Sequence, residues 1–190
     1  MPLMSTVYAA THLLSYSFLF GTQIWHSFIG GIISFRVLPR AYFGALQRRL
    51  FPIYFSLQLI LSLALLLTTP RSLKHHQQAT KTYAFLLTVV ATSFLNAVVA
   101  GPFTTKIMDK RKEQEVFDGR SYDGRKLPGV TEGAERGGDR EADEVRVSDE
   151  MKALNKKFGM WHGISSLFNL GSVVGTIGYG VLLAEKINFD

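Results

Sequence analysis

The sequence lacks cysteine, and its longest apolar stretches lack every charged side chain. The absence of cysteine excludes disulfides, thiolate chemistry and cysteine-based metal sites. Because no Asp or Glu lies in the apolar stretches, no intramembrane carboxylate is available for general acid–base catalysis. The glycines form neither a phosphate-binding loop nor a dinucleotide-binding fingerprint. We therefore predict a protein that is not an enzyme and that has no catalytic residues, bound metal or cofactor.

Four stretches of the chain are uncharged and apolar enough to cross a bilayer: residues 6–33, 50–68, 82–100 and 162–184. A hydrocarbon core about 30 Å thick requires roughly 20 such residues in a helix. A single span in lipid is helical because its backbone N–H and C=O groups must hydrogen-bond within the segment. The sequence predicts an all-α integral membrane bundle of four transmembrane helices. A signal peptide is the alternative for the first stretch, but no basic residue precedes it.

The predicted helices divide the chain into three parts. Residues 1–105 hold the first three transmembrane helices with short basic connections, residues 106–157 form a soluble charged loop, and residues 158–190 hold the fourth helix and a short tail.

Within the loop, residues 106–117 are predicted to continue the third helix, and Gly119 to end it. Residues 118–144 are rich in Gly, Asp, Glu and Arg and poor in apolar side chains, which predicts disorder. Ser148 is a good N-cap for the helix that follows.

Arginines are concentrated in the connection between the first two helices, at Arg36, Arg40, Arg48 and Arg49. After Pro39 the pattern predicts a short amphipathic segment that lies in the membrane interface before the second span begins at residue 51. These arginines are predicted to contact lipid head groups, with a specific anionic ligand as the alternative. The net charge of +6 is thus assigned to membrane flanks and not to nucleic acid.

Basic residues flank the first and third connections most densely. The positive-inside bias places these connections in the cytosol and both termini on the opposite side. We predict an endomembrane or plasma-membrane location.

Two of the four spans carry most of the polar side chains that lie at membrane depth. The residues singled out across the bundle are Gln23, His26, Asn96, His162, Ser165, Ser166 and Asn169. In lipid these groups are costly without hydrogen-bond partners. They either join the helices by hydrogen bonds or line a polar cavity or permeation path. Gly171 and Gly175 predict close approach of another helix, and the first span offers a matching surface of small residues.

A resemblance to a known family is carried by four segments of the sequence. They are Gly21-x-Gln23-x-Trp25-x-x-Phe28-x-Gly30, Phe35-Arg36-x-Leu38-Pro39-Arg40-x-x-Phe43-Gly44-x-x-Gln47, Leu50-Phe51-Pro52-x-Tyr54-Phe55 and His162-Gly163-x-Ser165-Ser166-Leu167-x-Asn169-Leu170-Gly171. The chain resembles the transmembrane protein 205 family in these segments, while residues 118–144 show no match. The resemblance implies a small four-helix membrane protein and implies no reaction.

The sequence favours a multi-pass membrane scaffold or accessory protein. Its expected partners are the lipid bilayer and either a second copy of the chain or another membrane protein, which it would bind through the arginine-rich segment and the polar helix faces. The alternative is a small transporter of solutes or metal-containing compounds, with a polar path between the first and last helices.

Overall fold

The computed structural model describes residues 2–74, 76–119 and 148–186, and every regular element in these ranges is helical. Four helical segments are long and apolar enough to span a membrane: Leu3–Val37, Arg40–Thr68, Gln78–Phe117 and Asp149–Ala184. The predicted all-α bundle of four transmembrane helices is therefore confirmed. Most of the segment predicted to be disordered lies outside the described residues.

Two of the four spans change their helical period part of the way along. The first span consists of α1 (Pro2–Ile24), a π-helical segment (Trp25–Gly30) and α2 (Gly31–Val37). The second is α3 (Arg40–Thr68), which a 3-10 turn (Arg71–Leu73) follows. The third consists of α4 (His76–Leu95), a second π-helical segment (Asn96–Ala100) and α5 (Gly101–Phe117), and the fourth is α6 (Asp149–Ala184).

The spans pack as a ring in chain order. α1 contacts α3, α3 contacts α4, α4 contacts α6, and α6 returns to α1. Near the end of the bundle that holds the chain termini, Leu19, Leu65, Leu86 and Tyr179 form the buried apolar core. Many large apolar side chains are exposed around the outside, as expected for helices that face lipid.

The second span begins earlier than the sequence pattern indicated. α3 runs without interruption from Arg40 to Thr68, and Pro52 lies inside it. The predicted amphipathic segment before residue 51 and the second span therefore form one continuous helix. Proline removes one backbone donor, but Gln47 and Tyr54 are buried on either side of it. Packing on this shared face continues the helix through the proline.

The predicted end of the third helix and the predicted start of the fourth are confirmed. α5 continues to Phe117, and Gly119 has a φ of 61°, a left-handed conformation that favours glycine. Ser148 caps α6, since its Oγ accepts a hydrogen bond from the Met151 amide at 3.2 Å. The same Oγ donates to Asp118 Oδ2 at 2.7 Å, which joins the end of α5 to the start of α6.

The sequence suggested that the glycines of α6 pack against the first span, but Gly171, Gly175 and Gly178 pack against the third span. Gly180 alone of these four glycines lies against the first span, at Tyr16. A Cβ added to Gly175 would lie 2.8 Å from Val89 Cγ2 and 3.2 Å from the Phe85 carbonyl oxygen, both in α4. Elsewhere the first span meets α6 through polar side chains.

Candidate functional site

A hydrogen-bonded cluster joins three spans at the centre of the bundle. Asn169 Oδ1 of α6 accepts hydrogen bonds from Tyr54 Oη at 2.8 Å and from Gln58 Nε2 at 3.1 Å, both in α3. Asn169 Nδ2 donates to Ser27 Oγ of the first span at 2.8 Å. Gln58 Nε2 also donates to Tyr54 Oη at 2.8 Å. One asparagine thus links the first, second and fourth spans.

A second set of polar contacts lies on neighbouring turns of α6. Gln23 Nε2 donates to Ser172 Oγ at 2.9 Å, and Ser93 Oγ lies 3.5 Å from the same oxygen. Asn96 Nδ2 donates to the Ser165 carbonyl at 3.1 Å. These contacts connect α6 to the first and third spans.

The π-helical segments place polar residues in this interior. The first segment carries His26 and Ser27, and the second begins at Asn96. In each case a glycine follows, and its amide donates to the carbonyl five residues earlier: Gly31 to His26, and Gly101 to Asn96. π-Helical turns occur frequently at functional sites, because the widened turn redirects side chains.

Two of the predicted site residues, His162 and Ser166, lie apart from the interior cluster. The His162 ring stacks on the Phe158 ring with centroids 5.4 Å apart, near the end of the bundle opposite the chain termini. Ser166 is exposed. His26 is half-buried, and its ring lies 4.3 Å from that of Tyr54 and 5.2 Å from that of Phe51.

The seven candidates therefore do not surround one site. Five of them lie in the interior, His162 borders a pocket described below, and Ser166 lies on an exposed face.

A third polar contact, which the sequence reasoning did not assign to the site, lies near the chain termini. His12 is 2% exposed; its Nε2 lies 2.6 Å from Tyr179 Oη, and its Nδ1 lies 2.8 Å from Thr68 Oγ1. The residues Ser165, Asn169, Ser172, Thr176 and Tyr179 follow helical spacing along α6. That spacing is the signal that could have extended the predicted polar face to Tyr179.

Three interior amides leave their oxygen atoms without partners. Gln23 Oε1, Gln58 Oε1 and Asn96 Oδ1 are buried and accept no hydrogen bond from any residue that the structure describes. Each amide donates through its nitrogen, so the unused atoms are acceptors. Buried acceptors of this kind are ordinarily satisfied by water or by a ligand donor.

The pocket lies at the end of the bundle opposite the chain termini, between α2, α3, α5 and α6, and has a volume of about 400 Å³. Small-molecule sites span about 300–1,000 Å³. Its lining residues are Phe35, Arg40, Ala41, Phe43, Gly44, Gln47, Phe51, Thr104, Met108, Arg111, Lys112, Glu115, Phe158 and His162.

Apolar and cationic side chains both line this pocket. Four phenylalanines and Met108 supply apolar surface, whereas Arg40, Arg111 and Lys112 supply positive charge against the single carboxylate of Glu115. The Arg111 guanidinium lies over the Phe158 ring, 4.8 Å from its centroid. The pocket is thus suited to a ligand that is partly apolar and carries negative charge.

Two polar groups of the pocket wall lack partners in the described part of the chain. Arg111 Nε and Gln47 Oε1 are buried and make no hydrogen bond. The Gln47 side chain is 4% exposed although it belongs to the amphipathic start of α3. By helical spacing Phe43, Leu46 and Leu50 form the apolar face of this segment, and the sequence pattern places Gln47 off that face.

The four predicted arginines have different positions, and all are exposed. Arg40 lines the pocket. Arg48 Nη1 pairs with Asp109 Oδ1 of α5 at 3.0 Å. Arg36 belongs to the last turn of α2, and Arg49 lies beside Arg48 on α3.

The pocket lies where the apolar spans meet the charged helix ends. Phe51 and His162 belong to the ends of uncharged stretches, while Arg40 and Arg111 lie beyond them. A group at this boundary is within reach of lipid head groups and of the upper part of acyl chains. Within the described ranges, no three His, Asp or Glu side chains are grouped so that they could hold a metal ion.

Comparison with known proteins places this architecture in a family. Residues 14–113 match the Domain of unknown function (DUF4149). The chain is 32% identical to Transmembrane protein 205 of Danio rerio over 165 residues, 84% of this chain and 82% of that protein. It is 44% identical over 59 residues to Xanthocillin biosynthesis cluster protein D of Aspergillus fumigatus, covering 31% of this chain and 38% of that protein. No solved structure matches.

Fold and comparison together define an integral, multi-pass membrane protein built from four apolar helices. The chain belongs to the transmembrane protein 205 family, as its sequence motifs suggested.

Proposed function

We propose that the protein is a non-enzymatic accessory or scaffold protein of the membrane, and that it binds anionic lipid in the pocket between α2, α3, α5 and α6. The observation that carries this proposal is the pairing of aromatic walls with Arg40, Arg111 and Lys112 in one cavity. Phosphate groups accept hydrogen bonds from arginine in a planar, charge-assisted geometry.

The position of the pocket favours lipid over a soluble anion. Phe51 in its wall belongs to the uncharged part of α3, and Arg40, Arg111 and Lys112 belong to the charged helix ends. A phospholipid presents both kinds of surface at this depth, whereas a small inorganic anion would leave the phenylalanines without a partner.

The test is lipid retention by purified protein, measured by native mass spectrometry after equilibration with phosphatidylglycerol and phosphatidylcholine. We expect preferential retention of phosphatidylglycerol. Arg111→Gln should reduce that retention about tenfold, because a charge-assisted hydrogen bond contributes about 1.5–3 kcal/mol. Arg40→Gln, at an exposed position of the pocket wall, should reduce it without affecting folding.

Arg49→Gln is the matched control. Arg49 is exposed on the same helix as Arg40 but does not line the pocket, so its loss removes the same charge and leaves the site intact. Equal retention of both lipids, or retention that is insensitive to both Arg40→Gln and Arg111→Gln, would refute the proposal.

A second candidate function is transport, and the observation that favours it is the set of unpartnered interior acceptors. Gln23, Gln58 and Asn96 are each 0% exposed and leave an amide oxygen unused. Water or a permeating solute that donates hydrogen bonds would satisfy them. Because four helices enclose little room, this function would require association of two copies.

Solute flux into liposomes that contain the purified protein tests this candidate. Transport predicts flux that His26→Ala and Asn96→Ala, both at interior positions, reduce at matched insertion and unchanged melting temperature. An absence of flux over a broad solute panel, from a protein shown to be folded, would reject transport.

A further inference from the structure

Gln47 is the least exposed polar side chain in the pocket wall. Because it is neutral, it does not contribute to the attraction of the pocket for negative charge. It is 4% exposed, and its Oε1 accepts no hydrogen bond within the described ranges. The other buried polar residue of the wall, Thr104, donates to the Ala100 carbonyl of its own span at 2.7 Å. Among the buried residues of the wall that the structure describes, Gln47 is thus the one with an unused acceptor.

An unused donor accompanies this acceptor. Arg111 Nε carries a hydrogen and has no partner in the described residues, although the guanidinium packs on Phe158. A buried donor or acceptor without a partner costs free energy. A ligand that satisfies both must therefore accept a hydrogen bond at one group and donate one at another.

We infer that the pocket selects, among anionic phospholipids, those whose head group carries a hydroxyl. This inference rests on the proposed lipid-binding function. The lipid phosphate accepts hydrogen bonds from the Arg111 guanidinium, and the head-group hydroxyl donates to Gln47 Oε1. Gln47 is then the residue that determines head-group specificity, whereas Arg40, Arg111 and Lys112 determine the preference for negative charge.

The test compares phosphatidylglycerol with phosphatidylethanol of the same acyl chains. Both carry one phosphodiester charge, and the hydroxyls of the glycerol head group are the chemical difference. In competition on the full-length wild-type protein, read by native mass spectrometry, we expect phosphatidylglycerol to be retained roughly fivefold more strongly, the effect of one net hydrogen bond.

Gln47→Met removes the acceptor and keeps the length of the side chain. It should bring the ratio between the two lipids close to one and leave phosphatidylethanol retention unchanged. Gln47→Asn, which withdraws the acceptor from the pocket, should also reduce the ratio. Leu46→Met is the matched control, because Leu46 is an exposed neighbour outside the pocket wall.

Several outcomes would overturn this inference separately from the proposed function. Equal retention of the two lipids by the wild type, with both preferred over phosphatidylcholine, would remove the specificity and keep the lipid site. Equal weakening of both lipids by Gln47→Met would mean that the amide supports the wall or binds phosphate. Displacement of the lipid by soluble glycerophosphoglycerol would indicate a site for a free anion. If neither lipid is retained, the proposed function itself fails.

Discussion

Asn169 makes hydrogen bonds to two other spans through both of its polar atoms. Its Oδ1 accepts from Tyr54 and Gln58, and its Nδ2 donates to Ser27. Hydrogen bonds between transmembrane helices contribute about 0.6 kcal/mol each on average. We therefore expect Asn169→Leu to lower the free energy of unfolding by about 1–2 kcal/mol, as measured by denaturation in mixed micelles.

Ser166→Ala is the control for this prediction, because Ser166 lies on the same helix at an exposed position. It should change the free energy of unfolding by less than about 0.5 kcal/mol. If Asn169→Leu were as mild as this control, the central cluster would not hold the spans together, and a role for Asn169 in ligand or solute contact would gain support.

At the same scale, the sequence identified polar residues better than it identified their partners. Gln23, Asn96 and Asn169 stand out in apolar helices because their burial is costly, whereas Tyr54 and Tyr179 do not, since tyrosine is common in membrane proteins. Gln47 was assigned to the polar side because Phe43, Leu46 and Leu50 define the apolar face of this segment by their helical spacing, and Gln47 lies off that face. Which side of α3 is covered depends on the helices that pack against it, and the periodicity of α3 alone cannot reveal that.

Among the elements, the contact of α6 with α4 depends most on small residues. A Cβ at Gly175 would lie 2.8 Å from Val89 Cγ2 and 3.2 Å from the Phe85 carbonyl, which is backbone and cannot rotate away. Gly175→Ala should therefore separate the two helices and cost about 1–3 kcal/mol of stability. The melting temperature of the purified protein measures this effect.

Gly163→Ala provides the comparison on the same helix. A Cβ at Gly163 meets nothing within 4 Å, so the change should be neutral or slightly stabilising, as alanine favours helix more than glycine does. Similar loss from both substitutions would mean that glycine acts through helix flexibility and not through close contact.

The helix boundaries were predictable where local chemistry sets them, as at Ser148 and Gly119. The π-helical segments were not predictable, because they depend on how the spans pack. The sequence signals that accompany them are Gly31 and Gly101. A Cβ added to Gly31 would lie 2.8 Å from the His26 carbonyl oxygen, and one added to Gly101 would lie 2.6 Å from the Asn96 carbonyl oxygen. Pro102 also removes a backbone donor just after the second segment.

For the whole molecule, segregation of charge from apolar sequence was sufficient to predict four spans. The pocket was not predictable, since its wall comes from segments that are far apart in the chain, around Arg40, Arg111 and His162. The sequence did place arginines at the correct end of the second span. It could not show that Arg40 borders a cavity while Arg48 pairs with Asp109.

The final prediction concerns the orientation of the bundle. Basic residues are more numerous at the pocket end, where Arg36, Arg40, Arg48, Arg49, Lys106, Lys110, Arg111, Lys112, Lys152, Lys156 and Lys157 lie. The opposite end holds Arg71, Lys74, Lys81 and Lys186. Because positively charged flanks stay in the cytosol, we expect the pocket end to be cytosolic and the Arg71–Leu73 turn to be on the other side.

The absence of cysteine makes this orientation directly measurable. Ser72→Cys introduces one thiol at an exposed position of the turn, and Glu113→Cys introduces one at an exposed position of α5. In intact cells or sealed vesicles, a membrane-impermeant maleimide should label these two variants from opposite sides, with Glu113→Cys accessible from the cytosol. The reverse labelling pattern would mean that the bundle has the opposite orientation in the membrane. The proposed ligand would then have to come from the non-cytosolic leaflet, and the charge bias of the connections would not be what orients this protein.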